Sequence, residues 1–380
     1  MAVFLLFSLL LALCLSHTGC ETPPVLTIES PDGDLIDCIY FEAQPALRHP
    51  LLRNHKIKEV PRVLSKRMNE MKEKRVRQVW NQNGTSCPDE TVPIRRDTRP
   101  GPKPTSKKRH LTDARVSRQG VPYPAEEGHE YAIAYSTSQA GIYGAHATMN
   151  LWAPAVEPGS GEFSLSQIWL VTGHYNGSDL NTIEAGWQVF PKHYHDSLPR
   201  LFVYWTRDTY QKTGCLNLDC PGFVQVPSDY AIGAAFAPIS SYGSNQYDIT
   251  MAIWKDTDNG NWWLGIGQSF VGYWPASLFT HLADGPAKLV QWGGEITNTR
   301  SYGQQTTTQM GSGHFPEEGF GKASFFRKLR IIDPLYHLVP VDDFLLQTLN
   351  PTCYNAIKAH NEAWGTHFFY GGPGFNALCP

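Results

Sequence analysis

The 380-residue chain lacks the short signatures of the common hydrolase and nucleotide-binding classes. It has no Gly-x-Ser-x-Gly elbow, which removes the serine-hydrolase reading, and no HExxH zinc helix. Gly321-Lys322 ends like a phosphate-binding loop, but Pro316 stands where its first glycine is required and Ala323 where Ser or Thr should hold magnesium. No βαβ alternation occurs, which argues against a doubly wound sheet, and no internal repeat is visible. Beyond the first fifteen residues no apolar run is long enough to span a bilayer. Basic residues are present without a nucleic-acid-binding motif. Cys215-x4-Cys220 has no further ligands at zinc spacing, and His193-Tyr-His195, which as a strand would put two imidazoles on one face, reads as surface rather than metal site. No metal or cofactor is expected. For hydrolysis that leaves carboxylates.

Other features place the chain in an oxidising compartment. Residues 1–15, MAVFLLFSLLLALCL, are followed by small and polar residues 16–19, the pattern of a secretory signal peptide over 1–19 with its cut near Cys20. Removal of Cys14 with the signal, and the position of Cys20 at the cut, leave an even set: Cys38, Cys87, Cys215, Cys220, Cys353 and Cys379. Pairing within each half of the chain gives Cys38–Cys87, Cys215–Cys220 and Cys353–Cys379. Sequons at Asn83 and Asn176 suit a secreted glycoprotein. The expected destination is extracellular or cell wall, with the vacuole as the alternative, and the expected state is a monomer.

The net charge of −3 conceals a division. Residues 1–118 carry 20 Lys and Arg against 13 Asp and Glu, whereas residues 119–380 carry 12 against 22 and hold ten of the eleven Trp. Two regions of opposite sign in one chain should attract. Residues 60–80 read as a basic amphipathic helix, so the amino-terminal part is expected to be a small mixed α/β domain. Residues 95–118, with nine Lys/Arg among Pro and Gly, read as an exposed linker of the kind proteases cut. The layout is that of a zymogen: a propeptide over 20–118, acting as an intramolecular inhibitor, and a main domain over 119–380.

In the main domain, runs rich in Val, Ile, Tyr, Phe and Trp recur at 166–172, 183–190, 200–206, 222–226, 246–255, 261–272 and 287–297, separated by Gly, Asn, Asp or Pro. They predict an all-β sandwich of two antiparallel sheets. Asp258-Asn259-Gly260 predicts a hairpin with a type I′ turn.

Two of these runs carry carboxylates in mirrored settings. Strand periodicity puts Glu184, Gly186 and Gln188 on one face, and Gln291, Gly293 and Glu295 on one face, in opposite chain order. If antiparallel pairing brings the sets together, glycines would leave room for a substrate backbone and a Gln amide could donate to an oxyanion. Two nearby carboxylates would divide between a charged base that activates water and a protonated acid. Trp187 and Trp292 fall on the opposite faces, as core.

The strings HPLLRNHKI (49–57), CPDETVPIRR (87–96), IEAGWQVFP (183–191), RLFVYWTRDTYQKTGCLNLDCPGFVQ (200–225), VQWGGEI (290–296) and YGGPG (370–374) together resemble the neprosin-type glutamic endopeptidases of plants. The resemblance spans nearly the whole chain, the first two strings matching the family's activation domain and the others its catalytic domain. It implies a β-sandwich with the cleft on one face, Glu184 and Glu295 as the catalytic pair, self-activation at low pH, and cleavage of protein or peptide substrates after proline. Autolysis near Pro100, Pro102, Pro104, Pro122 or Pro124, or cutting by another protease at 107–109, would separate the parts. Two other readings fit paired carboxylates or abundant aromatics: a glycosidase, and a non-catalytic carbohydrate-binding sandwich of the plant cell wall.

Overall fold

A computed structural model of the chain describes residues 23–62, 76–97, 111–116, 122–126, 128–175, 177–300 and 303–380. The expected signal peptide, most of the expected helix over 60–80, most of the basic linker, and Asn176 lie outside the described residues.

From residue 128 onward the chain is β-structure in two packed antiparallel sheets. The front sheet has seven strands. Its central five, in spatial order, are Arg200–Thr206, Asn181–Val189, Ser164–Thr172, Ala287–Thr297 and His129–Ile142. Cys215–Leu216 and Leu345–Thr348 form its edges. The back sheet is built on Gly144–Asn150, flanked by Asp248–Lys255 and Ser324–Ile332.

Alternation decides which residues lie between the sheets. Ile183, Ala185, Trp187, Val203, Ile168 and Trp292 all point inward and join one continuous core with Met251, Trp254, Trp263 and Phe326 of the back sheet. Trp187 and Trp292 are fully buried there, as the strand periodicity predicts. The outer face of the front sheet is not polar. It carries a second apolar cluster of Tyr131, Ile133, Tyr135, Leu165, Trp169, Tyr175, Phe202, Tyr204 and Tyr210.

Two local expectations need correction. Lys255 pairs with Trp262, so the hairpin loop is six residues long rather than a two-residue type I′ turn. Gly260 takes a positive φ of 74° there, while Asn259 instead caps the backbone N–H of Asn261 with its side chain. His193 and His195 are not on a strand: they lie on the short helix Pro191–Tyr194 and at its left-handed end.

Of the mixed α/β unit expected at the amino terminus, the described residues show the β part. Its described residues form a three-stranded antiparallel sheet of Leu26–Glu29, Leu35–Tyr40 and Thr91–Arg95 with short 3-10 turns. Arg77–Gln78, placed in the helix by periodicity, is a strand that pairs with Phe236 and Ala237 of the main domain. The contact between the two parts is extensive. Gln44 exchanges two hydrogen bonds with the backbone of Gln225, at 2.7 and 3.1 Å. Gln78 bonds the backbone of Ala231 and Ala234, and Tyr230 donates to the Val76 carbonyl. Ala46, Leu52 and Val76 are built into the large core itself. Such burial, at about 25 cal/mol per Å², holds a segment more firmly than the attraction of opposite net charges across solvent.

The buried ion pair between the parts runs against the sign of the overall charges. Arg200 of the main domain, 1% exposed, donates to Asp34 of the amino-terminal part at 2.5 Å and is also paired with Asp196. Arg95 holds the other oxygen of Asp34 at 2.8 Å.

The three disulfides are Cys38–Cys87, Cys215–Cys220 and Cys353–Cys379, the pairing expected from division of the chain. Asn83 is exposed and available for glycosylation. Among the described residues, no helix is long and apolar enough to cross a membrane.

Candidate active site

The two carboxylate strands are not neighbours. Ser164–Thr172 lies between Asn181–Val189 and Ala287–Thr297 and is antiparallel to both, so the flanking strands run parallel to each other. This corrects the expectation of antiparallel pairing, and it explains the reversed order of the two motifs. In register, Glu184, Trp169 and Gln291 form one row. Gly186, Gln167 and Gly293 form the next, and Gln188, Leu165 and Glu295 the third. Residues paired across strands point to the same side. The face is therefore a three-by-three array with its carboxylates at the ends of one diagonal, its outer glutamines at the ends of the other, and Gln167 where the diagonals cross. All six residues singled out from the sequence share this face.

The rows continue outward. Tyr204 flanks Glu184 and Tyr135 flanks Gln291. Phe202 and Ile133 flank the glycines, and Arg200 and Tyr131 complete the third row. Aromatic rings thus wall the array on both sides.

The glycines are required for a reason other than the one expected. A Cβ on Gly186 would lie 1.9 Å from the Ser166 carbonyl oxygen. On Gly293, whose φ is 146°, it would lie 2.4 Å from the Ala132 carbonyl oxygen. Neighbouring backbone excludes the side chain. The open space above the row follows as a consequence, and the rings use it: Tyr131 and Trp169 meet edge to face at 6.4 Å along a lattice path that passes over Gly293.

Both carboxylates are buried, Glu184 at 1% and Glu295 at 0% exposure, so each depends on donors from the protein. Glu184 Oε1 accepts from the Thr182 hydroxyl and from the Tyr210 hydroxyl, both at 2.8 Å. Glu295 Oε1 lies 2.6 Å from His129 Nδ1 and accepts from the Tyr131 hydroxyl at 3.3 Å. Glu295 Oε2 accepts from Gln167 Nε2 at 3.3 Å. One carboxyl is held by hydroxyls, the other by an imidazole, a phenol and an amide. The two ends of the diagonal are chemically distinct.

Gln188 and Gln291, expected to bind substrate, are 3% exposed, and among the described residues each has an amide atom without a hydrogen-bond partner: Gln188 Oε1 and Gln291 Nε2. Buried amide atoms of this kind normally find partners; here they face the array.

Sequence periodicity misses Gln167, Trp169, Thr182, His129, Tyr131 and Tyr210. Gln167 carries a readable signal, as the polar member of the Leu165, Gln167, Trp169, Val171 face. Thr182 carries one too, two residues before Glu184 on the same strand face; Trp169, His129, Tyr131 and Tyr210 come to the site through register or from a loop, which no local pattern encodes.

Among solved structures, the fold is similar to Scytalido-glutamic peptidase in complex with a peptide-based transition-state analog. That likeness has 11% identity and a TM-score of 0.34, over 64% of this chain and 98% of that one. SCP-B, a member of the Eqolisin family of peptidases, matches with 9% identity and a TM-score of 0.33, over 63% and 96%. A beta-porphyranase from the human gut bacterium Bacteroides plebeius matches with 10% identity and a TM-score of 0.24, over 52% and 74%. Likenesses this distant carry no argument about chemistry. The family models are of another kind: the Neprosin activation peptide matches residues 27–135 and the Neprosin domain matches residues 160–373, more than half the chain and the whole array from Leu165 to Glu295. The chain belongs to the Neprosin family, with that family's activation peptide ahead of its Neprosin domain.

Proposed function

We propose that the protein is a secreted glutamic endopeptidase made as a zymogen, in which Glu184 and Glu295 act on one water and one scissile peptide bond. The observation that carries this reading is the diagonal placement of two buried carboxylates, each with its own donors, on a face lined by unsatisfied amides.

The donor sets suggest a division of roles. Glu295, held by His129, Tyr131 and Gln167, is assigned the base that takes a proton from the attacking water. Glu184, among hydroxyls, is the member that carries a proton, polarises the scissile carbonyl and then protonates the leaving amine. Gln188 and Gln291 bind the main chain on either side. The rings of Trp169, Tyr131, Tyr135, Tyr175 and Tyr204 supply flat apolar walls suited to a pyrrolidine, the physical basis for cleavage after proline.

Residues 1–19 are proposed as the signal peptide, 20–118 as the activation propeptide and 119–380 as the catalytic domain, working as a monomer without metal or cofactor. A sugar-binding sandwich is a poorer fit. Such a module leaves the activation peptide and the paired carboxylates without a role.

The test is proteolysis of a proline-containing protein at acid pH by the processed enzyme and by its Glu184→Gln and Glu295→Gln variants. Each variant should keep the thermal midpoint within a few degrees and lose at least a thousandfold in kcat/KM, the scale of removing a catalytic acid or base. Full activity in either variant would sink the assignment.

A further inference from the structure

We infer that Gln167 is a substrate-binding residue of this site, accepting a main-chain N–H of the bound peptide at the crossing of the two diagonals while its amide nitrogen fixes Glu295. The inference rests on the peptidase reading above and adds a residue to it.

Gln167 is fully buried and stands in the middle column of the array. Its row neighbours are Gly186 and Gly293, which neighbouring backbone keeps free of side chains, so nothing flanks its amide within the row. Nε2 donates to Glu295 Oε2 at 3.3 Å, which fixes the orientation of the amide. The carbonyl Oε1 is then turned away from Glu295, and among the described residues it has no hydrogen-bond partner. A buried amide oxygen left unpaired costs about 1–3 kcal/mol. An apolar residue of the same shape would avoid that cost, and the rest of this strand face, Leu165, Trp169 and Val171, is apolar.

The two outer glutamines repeat the pattern. Among the described residues Gln291 leaves a donor unpaired and Gln188 an acceptor, and with Gln167 they lie on the diagonal that crosses the carboxylates. An extended peptide presents alternating C=O and N–H groups. Laid along this diagonal it would place a carbonyl near Gln291 Nε2 and N–H groups near Gln167 Oε1 and Gln188 Oε1. The central contact falls beside the bond held between Glu184 and Glu295. Recognition of this kind depends on the backbone and not on side chains. It would make the site demand an N–H at one fixed position in every substrate.

The experiment pairs backbone-edited substrates with two variants of the processed enzyme. A peptide that the wild type cuts is remade with one N–H at a time replaced by an ester oxygen, through the residues flanking the cut and at the cut itself. The effect on kcat/KM is measured for wild type, Gln167→Met and Gln167→Glu. Comparing enzymes on the same ester cancels the ester's intrinsic reactivity. At one position the wild type should pay a penalty that Gln167→Met does not, a coupling of about three- to tenfold for one neutral hydrogen bond. Gln167→Glu keeps an acceptor and should keep the penalty, while its lost donor to Glu295 lowers kcat and moves the pH profile. A coupling below twofold at every position, with wild type and Gln167→Glu both active, overturns the role of Gln167. Failure of the wild type to cut any all-amide parent overturns the peptidase reading itself.

Discussion

Gly186 and His129 show how residue-scale constraints shape the array. Gly186→Ala would drive a Cβ into the Ser166 carbonyl oxygen, and neither strand can retreat while both belong to a seven-stranded sheet. The substitution should destabilise the fold by about 3 kcal/mol or more, seen as a lower urea midpoint; an unchanged midpoint would mean the strands have room that the register denies them. His129 lies at the start of its strand, pinned beside Thr297, and its imidazole is a donor to Glu295. His129→Phe should keep the ring contact with Phe163 but remove one of the polar partners of a buried carboxylate. A charge-assisted bond is worth about 1.5–3 kcal/mol, so kcat/KM should fall roughly 10- to 150-fold, with a changed acid limb in the pH profile. An unaltered profile would show that His129 does not act on Glu295. Of these residues only the motif members were legible in the sequence. Glu184, Gly186, Gln188, Gln291, Gly293 and Glu295 stand at period-two spacing inside recognisable strands. His129 and Tyr210 reach the same carboxylates from places fixed by pairing and by a loop.

At the scale of elements, most of the strand runs were visible, because buried strands concentrate β-branched and aromatic residues. The run 261–272 proved to be two strands, Trp262–Ile266 and Ser269–Trp274, turning at Gly267 with φ 56°. The strands His129–Ile142, Gly144–Asn150, Ser324–Ile332, Asn355–Asn361 and Gly365–Gly371 were missed, and the first two contain stretches of Ala, Ser and Thr that carry little β signal. Reversed motif order suggested antiparallel neighbours; the inserted strand Ser164–Thr172 cannot be inferred from periodicity, since order within a sheet is not a local property. The activation peptide's own sheet depends on Asp37, which bonds Thr27 on the adjacent strand and Arg96. Burial pushes the Asp37 carboxyl up, but the hydrogen bonds of Arg96 and Thr27 and the charge of Arg96 outweigh it and hold the carboxyl below the usual carboxylate range. A carboxyl with a lowered folded pKa stabilises the fold fully above its unfolded value and loses that contribution as pH falls through the folded one. This pair therefore holds at neutral and mildly acid pH and is lost only as pH falls below the ordinary carboxylate range. Asp37→Asn should make the activation peptide easier to release at pH 5, measured by limited proteolysis; identical release profiles for the two proteins would mean that the Asp37 pair does not hold the activation peptide in place.

The whole molecule is held together differently from what its charge division suggests. The basic amino-terminal part does not simply rest on an acidic surface. It contributes Ala46, Leu52 and Val76 to the main core, adds a strand pair at Phe236, and places Asp34 on buried Arg200. Cutting the linker should then leave the two fragments associated at neutral pH, co-eluting on gel filtration and parting only in acid or denaturant. Separation on cutting alone, suppressed by low salt, would restore a purely electrostatic latch. Asp34→Asn tests the buried pair directly. Leaving Arg200 with part of its partners removed should cost about 3–5 kcal/mol and speed release of the activation peptide. The Cys38–Cys87 bridge closes a loop of 49 residues within that peptide. Replacing both cysteines by Ser should cost it roughly 4 kcal/mol on the loop-entropy account.

The claim on which the rest depends is that Glu184 and Glu295 together cut peptide bonds. Its most direct test is acid incubation of three purified precursors, wild type, Glu184→Gln and Glu295→Gln, each with a proline-rich test protein, followed over time by mass spectrometry. The wild type should process itself between the activation peptide and the catalytic domain and then cut the test protein, with proline at the new carboxy termini. Both variants should remain intact and leave the test protein whole, at unchanged thermal midpoints. Cleavage by either variant at the wild-type rate, or a correctly folded wild type that cuts neither itself nor the test protein, would contradict the assignment.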